Sequence, residues 1–173
     1  ADGVDILVNN AGIAGDGNIA DTDDEQFETE CGVELLVETA RLFAGLGHHD
    51  VNGKFRIDGV TGPDEYTTVV DNNFYTNVMA RANLADAARV MRRMKVEDPL
   101  WYQHLVDELD LDESEIACWE ECAAGIVIPF DETFGVHPQD DQFLTRELWD
   151  LSQTPQSSRP LLLHYHPLVI YRH

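Results

Sequence analysis

Apolar residues recur along most of the chain at the spacing of an α-helix. The first example runs from Thr22 to Gly47, where apolar and small side chains three and four residues apart fall on one helical face. These positions are Leu35, Leu36, Thr39, Ala40 and Phe43. Thr22 and Glu25 have the spacing of a capping box, and Gly45 with Gly47 favours an end to the helix. The pattern predicts one helix over this segment.

Three further helices are predicted downstream. One starts at Asp71 and places small and apolar residues on one face, namely Tyr75, Val78, Ala82, Ala85 and Ala88. A second opens at Pro99 and runs to about Leu109, and a third follows the capping-box pair Asp112 and Glu115. This third helix contains Trp119, Cys122 and Ala123. The abundance of alanine indicates close packing between helices.

Extended segments are few and short. Val4 to Val8 is an apolar run typical of a buried strand and leads into a glycine-rich loop. Ile126 to Phe130 is a second apolar run, and loops are predicted over 135–139 and 154–160 from their Gly, Pro, Ser and Gln content. The chain is therefore predicted to be mainly α, with a short strand and loop at its start.

Acidic residues dominate the charge. Asp and Glu number 33 against 11 Lys and Arg, which gives a formal net charge of −22. A field of that sign repels nucleic acid and anionic membranes, so neither is expected as a partner. The sequence contains only two lysines, Lys54 and Lys95. An acid-rich, lysine-poor surface suits a cytoplasm of high salt concentration, where screening limits self-repulsion.

The length and the ends of the chain add two expectations. A chain of 173 residues can form one domain with a core, and it has neither an apolar run of the ~18 residues that span a membrane nor a signal peptide. It begins at Ala1 and stops after His173. We therefore expect a piece of something larger.

The cysteines and histidines indicate neither a disulfide framework nor a metal site. Cys118 and Cys122 lie four residues apart on a predicted helix, without two further ligands at matching spacing, so we expect two buried thiols. Together with Cys31 they favour a reducing, cytoplasmic setting. His164 and His166 alternate on a predicted extended run and would point to opposite faces, which makes a poor metal pair.

The stretch from Lys54 to Asn77 carries the candidate chemistry. It has an alternating lead-in at Phe55 and Ile57, a Gly-Pro turn, and two adjacent carboxylates, Asp64 and Glu65. Carboxylates on a turn at the mouth of a helical scaffold can hold an acid next to a substrate. Gly-Pro-Asp is also an ordinary turn signal, and an Asp-Glu pair on a turn is commonly a solvated feature. The residues alone leave both readings open.

The first residues resemble a short-chain dehydrogenase. Asn9, Asn10, Ala11 and Gly12 follow the apolar run, as they do after that family's central strand, and the resemblance covers about residues 1–27. It implies a strand and loop of Rossmann type. The chain has no Tyr-x-x-x-Lys pair and no glycine-rich dinucleotide fingerprint. We therefore expect at most a remnant of an NAD(P)-dependent oxidoreductase here.

From about residue 28 onward the chain resembles glycoside hydrolase family 65, which contains maltose, trehalose, kojibiose and nigerose phosphorylases. The resemblance rests on collinear motifs: ETECGVELLVETARLF, the turn Gly62 to Tyr66, the helix start at 71–77, IPFDETFGVHPQDDQFL and PLLLHYHPLVIYRH. It implies a family 65-like catalytic domain over 28–173, folded as part of an (α/α)6 barrel. In such barrels the loops at one end carry the site.

The resemblance also implies roles for residues. Glu65 matches the family's general acid, for which its pKa should be raised by burial and by Asp64. Phosphate is itself an anionic nucleophile, so an inverting phosphorylase needs no second carboxylate as base. Asp64, Asn72, Asn77 and His137 are the candidate substrate-binding residues. Helix capping is an alternative for the asparagines, and surface loop chemistry is one for His137. No cofactor is expected; inorganic phosphate is the co-substrate.

The leading interpretation is a fragment of an inverting disaccharide phosphorylase that cleaves an α-glucosidic bond with phosphate to give glucose 1-phosphate and a sugar. Three alternatives stay open: a hydrolase of the same family, an oxidoreductase remnant, and an inactive chimeric fragment. The linkage of the disaccharide stays open among maltose, trehalose, kojibiose and nigerose, as does a homodimeric assembly of the parent enzyme.

Overall fold

The computed structural model describes residues 32–64 and 66–173. The described residues divide into two compact units: a helical unit within residues 32–55 and 78–126, and a loop unit within residues 56–77 and 127–173. The predicted strand at Val4 to Val8 and the predicted capping box at Thr22 and Glu25 lie outside the described residues.

Five α-helices and one two-stranded sheet form the regular structure of the described part. The helices are α1 (Gly32–Leu46), α2 (Phe74–Glu97), α3 (Pro99–Leu109), α4 (Glu113–Gly125) and α5 (Pro167–Ile170). The strands are β1 (His48–His49) and β2 (Phe55–Arg56), which pair with each other. Three short 3₁₀ helices lie at Phe143–Thr145, Gln156–Ser158 and Leu161–Leu163. The prediction of a mainly helical chain is confirmed.

The helix boundaries follow from capping chemistry. Asp98 accepts a hydrogen bond from Trp101 N at 3.0 Å and precedes Pro99, which begins α3. The capping box at the start of α4 is formed as predicted, because Asp112 accepts from Ser114 N at 2.7 Å while Glu115 accepts from Asp112 N at 3.0 Å. Local sequence therefore determines where both helices begin.

Helix α2 begins three residues later than predicted. Asn73 is its cap: Asn73 Oδ1 accepts from Thr76 N at 3.1 Å, and the helix starts at Phe74. The Asp71 side chain instead bonds an earlier part of the chain, because Asp71 Oδ1 accepts from Gly59 N at 3.0 Å. Asn72 has a left-handed backbone with a φ of 50°. That conformation cannot be part of a helix, and it delays the helix start.

The core of the helical unit is built from four helices and strand β2. Its largest fully buried side chains include Trp119, Phe55, Leu84, Met91 and Ile116. Alanines at 80, 87 and 88 are buried on α2, as expected for close helix packing. A polar link joins α2 to α1, because Asn83 Nδ2 donates to Thr39 Oγ1 at 2.7 Å. Helix α1 also packs against α4.

The two described cysteines differ in exposure. Cys122 is buried and Cys118 is exposed, with the two Sγ atoms 3.9 Å apart. The prediction of two buried thiols is therefore wrong for Cys118, which lies on the solvent side of α4. Burial, together with the neighbouring Cys118, raises the pKa of the Cys122 thiol to about 12. Cys31 lies outside the described residues.

The loop unit has little regular structure and a polar interior. Ile57, Val70 and Ile170 are buried, and so are several polar residues, namely Thr67, Asn72, Asn73, Asn77 and Asp140. Buried polar groups in such number require hydrogen-bond partners within the protein.

The segment with His164 and His166 is not extended as predicted. His164 follows the 3₁₀ helix at Leu161–Leu163, and His166 caps α5. Pro167 begins that helix, which explains the early turn.

Within the described ranges, no helix combines the length and the apolar character needed to cross a membrane.

Candidate active site

The turn that begins at Asp64 is closed by hydrogen bonds to this residue. Asp64 Oδ1 accepts from Tyr66 N at 3.1 Å, and the Asp64 carbonyl accepts from Thr67 N at 3.3 Å and from Thr67 Oγ1 at 3.3 Å. An aspartate that bonds its own backbone two residues on is a common turn device. The Asp64 side chain is exposed, whereas Thr67 is buried. Glu65, the predicted general acid, lies outside the described residues.

A short antiparallel pairing closes the base of this turn. Val60 and Val70 exchange backbone hydrogen bonds of 3.0 and 2.9 Å, and the hydroxyls of Thr61 and Thr68 contact each other one step further on. The segment between them is therefore a closed loop, not an open surface strand. This loop carries the Asp64 carboxylate.

Gln139 joins this loop to the start of helix α2. Its carbonyl accepts from Phe74 N at 2.9 Å and from Asn73 Nδ2 at 3.1 Å. Its side-chain Nε2 donates to Asp64 Oδ2 at 3.2 Å and lies 3.4 Å from Thr67 Oγ1. Main chain and side chain of one residue thus contact two segments that are distant in sequence.

Asn72 and Asn77 belong to a buried network. Asn77 Nδ2 donates to Asn72 Oδ1 at 3.1 Å and to the Val127 carbonyl at 2.7 Å, while Asn72 Nδ2 donates to Asp141 Oδ2 at 2.8 Å. The same Asp141 oxygen accepts from Arg56 Nη2 at 2.5 Å. Both asparagines are 0% exposed. Three of the four polar atoms of these two amide groups bond protein partners, and the fourth, Asn77 Oδ1, is buried and has no hydrogen-bond partner among the described residues.

The Gly62 position depends on this packing. A Cβ added to Gly62 would lie 2.3 Å from Asn73 Nδ2, the atom that donates to the Gln139 carbonyl. A side chain at 62 would therefore displace the cap of α2. This close approach gives a physical reason for glycine at the first position of the Gly-Pro turn.

His137 is presented by an aromatic cluster. Its ring stacks on Phe74, with centroids 4.7 Å apart and an interplanar angle of 28°, and it lies 5.0 Å from the ring of Phe130. Nδ1 is 2.5 Å from the Pro129 carbonyl oxygen. A carbonyl can only accept, so Nδ1 carries the proton. In the neutral ring, Nε2 is then left as an acceptor on an exposed side chain.

A second polar pair holds the segment after Gln139. Asp140 Oδ1 accepts from Arg146 Nη2 at 3.0 Å and from Gln142 N at 2.9 Å, and Asp140 is 1% exposed. Asp140 Oδ2 and Arg146 Nη1 are buried and have no hydrogen-bond partner within the part of the chain that the structure describes. The pair fixes the path of the chain between His137 and the first 3₁₀ helix.

Four of the five predicted site residues are described by the structure, and all four lie in the loop unit. Asp64 and His137 are exposed and present polar atoms, while Asn72 and Asn77 are buried beneath the surface. Sequence reasoning did not assign roles to Arg56 and Asp141, because no local pattern pairs residues that are 85 positions apart. The candidate substrate-binding roles stay predictions.

No cluster of three or more His, Cys, Asp or Glu suited to a metal ion occurs in residues 32–64 and 66–173. The described site consists of amides, carboxylates, guanidinium groups and one imidazole. Such groups suit hydrogen bonding to hydroxyls and oxyanions.

Comparison with known families gives a match over most of the chain. The model of the glycosyl hydrolase family 65 central catalytic domain matches residues 16–173. The match includes the Asp64 turn, helices α1 to α5 and the segment around His137. It starts earlier than residue 28, inside the segment with the dehydrogenase resemblance. The dehydrogenase resemblance of residues 1–27 has no support from these comparisons, and the domain boundary at residue 28 stays a prediction.

Individual relatives agree with this match. The chain is 47% identical over 152 residues to an α,α-trehalose phosphorylase of Geobacillus stearothermophilus, covering 88% of this chain and 20% of that protein. It is 44% identical over 154 residues to an α,α-trehalose phosphorylase of Thermoanaerobacter brockii, with the same coverage of 88% and 20%. This chain thus spans about a fifth of the length of these relatives.

A solved structure shows the same fold. The structure described as "Putative kojibiose phosphorylase from human microbiome" superposes with a TM-score of 0.74 at 25% identity, covering 86% of this chain and 22% of that one.

Proposed function

The chain belongs to glycosyl hydrolase family 65, and from this membership we propose that it forms part of an inverting disaccharide phosphorylase. The observation that carries the proposal is the family match over residues 16–173, which includes the turn with Asp64 and Glu65. The identity of 47% to an α,α-trehalose phosphorylase makes trehalose the first substrate to test. We further propose that residues 28–173 are part of an (α/α)6 barrel.

In the proposed reaction Glu65 is the general acid. Its carboxyl proton passes to the glycosidic oxygen as the bond from that oxygen to the anomeric carbon breaks. A phosphate oxygen forms the new bond to the anomeric carbon from the opposite face, which inverts the configuration. The products are β-glucose 1-phosphate and the released sugar, and solvent reprotonates the Glu65 carboxylate. No second carboxylate is needed, because phosphate carries its own negative charge.

Asp64 and His137 are proposed to contact the sugar. The Asp64 carboxylate is exposed, and its two oxygens accept from Tyr66 N and from Gln139 Nε2, which leaves lone pairs on both. His137 offers Nε2 as an acceptor for a sugar hydroxyl, since Nδ1 donates to Pro129. Its stacking on Phe74 fixes the plane of the ring and therefore the direction of that bond.

Asn72 and Asn77 are proposed to act beneath the site. Their amide groups bond Asp141, each other and the Val127 carbonyl, and both residues are fully buried. In this position they set the path of the chain between the turn and helix α2. Contact with the sugar would require a different side-chain arrangement.

The test needs a complete catalytic domain around the chain. We suggest an exchange enzyme, in which the chain replaces its matching segment in the G. stearothermophilus α,α-trehalose phosphorylase, where 47% identity favours a compatible fit. Glu65→Gln should abolish phosphorolysis of trehalose in this enzyme and leave its melting temperature unchanged. Glu132→Gln, which changes an exposed carboxylate of the loop unit, should keep the parent rate. Parent rates in Glu65→Gln would remove the assignment.

A further inference from the structure

We propose that Gln139 is a positioning residue that fixes the turn from Asp64 to Thr67. The consequence for catalysis rests on the proposed function, because it requires Glu65, between these two residues in sequence, to be the general acid. The contact itself, which we call the Gln139 tie, is formed by Gln139 Nε2 with Asp64 Oδ2 and Thr67 Oγ1.

The main chain of Gln139 is held at a fixed place. Its carbonyl accepts two hydrogen bonds, from Phe74 N at 2.9 Å and from Asn73 Nδ2 at 3.1 Å. Asn73 is itself fixed, since its Oδ1 accepts from Thr76 N and Thr76 Oγ1, both at 3.1 Å. The residue is therefore anchored to the first turn of a 24-residue helix. Groups supported by regular structure are placed more accurately than groups on free loops.

The side chain of Gln139 connects this fixed backbone to the turn. Gln139 Nε2 donates to Asp64 Oδ2 at 3.2 Å, and the acceptor is a carboxylate, which strengthens the bond. The backbone and hydroxyl bonds within the turn join residues between 60 and 70. Those local bonds determine the shape of the loop. The Gln139 bond connects the loop to the helix.

A general acid needs this kind of support. A displacement of about 1 Å between an acid and the atom that it protonates can reduce the rate by about a hundredfold. A turn that is closed only by its own bonds can pivot as a unit about its base at Val60 and Val70. A bond from outside the loop removes that freedom. Gln139 thus acts on the reaction through Asp64 without touching the substrate.

Substitutions can separate this bond from general packing. Gln139→Glu keeps the shape of the side chain, removes the donor and places a second carboxylate beside Asp64. Gln139→Ala removes the bond without adding charge. The double exchange D64N/Q139E reverses the bond, because the amide at 64 then donates to the carboxylate at 139, while its oxygen still accepts from Tyr66 N. Gln153→Ala is the matched control, since Gln153 Nε2 donates to Asp150 Oδ2 at 2.6 Å in the same unit.

Amide hydrogen exchange on the full chain measures the tie without any need for activity. We expect exchange at Tyr66 and Thr67 to become about tenfold faster in Gln139→Glu and Gln139→Ala, as loss of a charge-assisted hydrogen bond implies. In the double variant D64N/Q139E, the hydrogen-exchange rates of both amides should return to within about twofold of the parent rates, as a restored bond of the same kind implies. Gln153→Ala should leave both amides unchanged. Two results would overturn the proposal: hydrogen-exchange rates in Gln139→Ala equal to those of the parent chain, or rates in D64N/Q139E as fast as those in Gln139→Glu.

Kinetics in the exchange enzyme measure the consequence. Gln139→Ala should lower kcat about tenfold, since the acid is misplaced, and any rise in KM should be smaller than this loss of kcat, since Asp64 is only one of the two proposed sugar contacts. D64N/Q139E is measured by hydrogen exchange only, because it also changes Asp64, a proposed sugar contact. A KM increase at constant kcat would overturn the positioning role. If the unsubstituted exchange enzyme has no phosphorolysis while the hydrogen-exchange result holds, the proposed function fails and the Gln139 tie stands.

Discussion

At the residue scale, the Glu115 carboxylate takes part in two interactions, an ion pair between helices and a helix cap. Its carboxylate accepts from Arg41 Nε at 2.7 Å and from Arg41 Nη2 at 2.9 Å, a bidentate pair that links α1 to α4. Oε1 also accepts from Asp112 N and completes the capping box. The two side chains are 26% and 28% exposed, so water screens the pair only in part. The Arg41 guanidinium holds the pKa of Glu115 below its ordinary 4.5.

We predict that Glu115→Gln lowers the free energy of unfolding by about 1 kcal/mol at pH 7, because one bidentate charge-assisted contact is lost. Since the pKa is lowered in the folded state, this contribution is complete above pH 4.5 and is lost as the pH falls through the folded pKa. Urea titration at pH 7 and at lower pH measures the difference between variant and parent, which should shrink on acidification.

Glu120→Gln is the matched control for this prediction. Glu120 pairs with Arg92 at 3.0 Å, and both side chains are more exposed, at 49% and 40%. Solvent screening should make its effect small at every pH. A difference for Glu115→Gln that does not change between pH 7 and pH 3, or that equals the Glu120 effect, contradicts the assigned role.

At the scale of elements, one close approach sets how helix α1 meets strand β2. A Cβ added to Gly47 would lie 2.2 Å from Phe55 Cζ, and Phe55 is 1% exposed. The ring cannot move aside without disturbing the core of the helical unit. The glycine is therefore required by contact at the end of α1, in addition to its effect on helix termination.

We predict that Gly47→Ala destabilises the chain by about 1–3 kcal/mol, the range for an overpacked core. Gly45→Ala is the control, since its added Cβ meets nothing within 4 Å and alanine is the better helix former. Thermal unfolding of both variants should place their melting temperatures on opposite sides of the parent, or Gly45→Ala at the parent value. Equal melting temperatures for the two would show that Phe55 yields without cost.

Elements with local signals were predictable from the sequence. Helices α3 and α4 begin where Asp98 and Asp112 cap them, and periodic apolar residues mark their buried faces. The start of α2 was misplaced because Asp71 and Asn73 offer similar capping chemistry, and tertiary contacts decide between them. The 3₁₀ helices carry no periodic pattern, so the segment with His164 could not be distinguished from an extended run.

The candidate site was predictable only in part. Motifs identify Asp64 and His137, whereas the bonds from Gln139 to Asp64 and from Arg56 to Asp141 join positions 75 and 85 residues apart. Nothing in the local sequence of Gln139 shows its partner. The same holds for burial: Asn72 and Asn77 have the chemistry of sugar-binding residues, and only the fold shows that their amides are used internally.

For the whole molecule, net charge dominates the response to salt. With 33 acidic and 11 Lys and Arg residues, repulsion between carboxylates exceeds the attraction that ion pairs provide. Salt screens both the repulsion and the attraction. Because the repulsion is larger, its screening stabilises the folded chain. We predict that the melting temperature rises by about 5 °C or more between about 0.05 M and about 1 M NaCl.

Sucrose at matched osmolality is the control for this prediction, because it stabilises by exclusion and leaves charge repulsion in place. The rise in NaCl should exceed the rise in sucrose. A melting temperature that stays flat or falls with salt removes the idea of adaptation to a high-salt cytoplasm.

If the chain supplies the acid of an inverting phosphorylase, as proposed, the reaction requires phosphate and the anomer of the product reports on the inversion. The exchange enzyme should be incubated with trehalose in the presence and absence of phosphate and followed by proton and phosphorus NMR. We expect β-glucose 1-phosphate that forms only with phosphate and is absent in Glu65→Gln. Glucose released without phosphate, an α-phosphate product, or the same product from Glu65→Gln would contradict it.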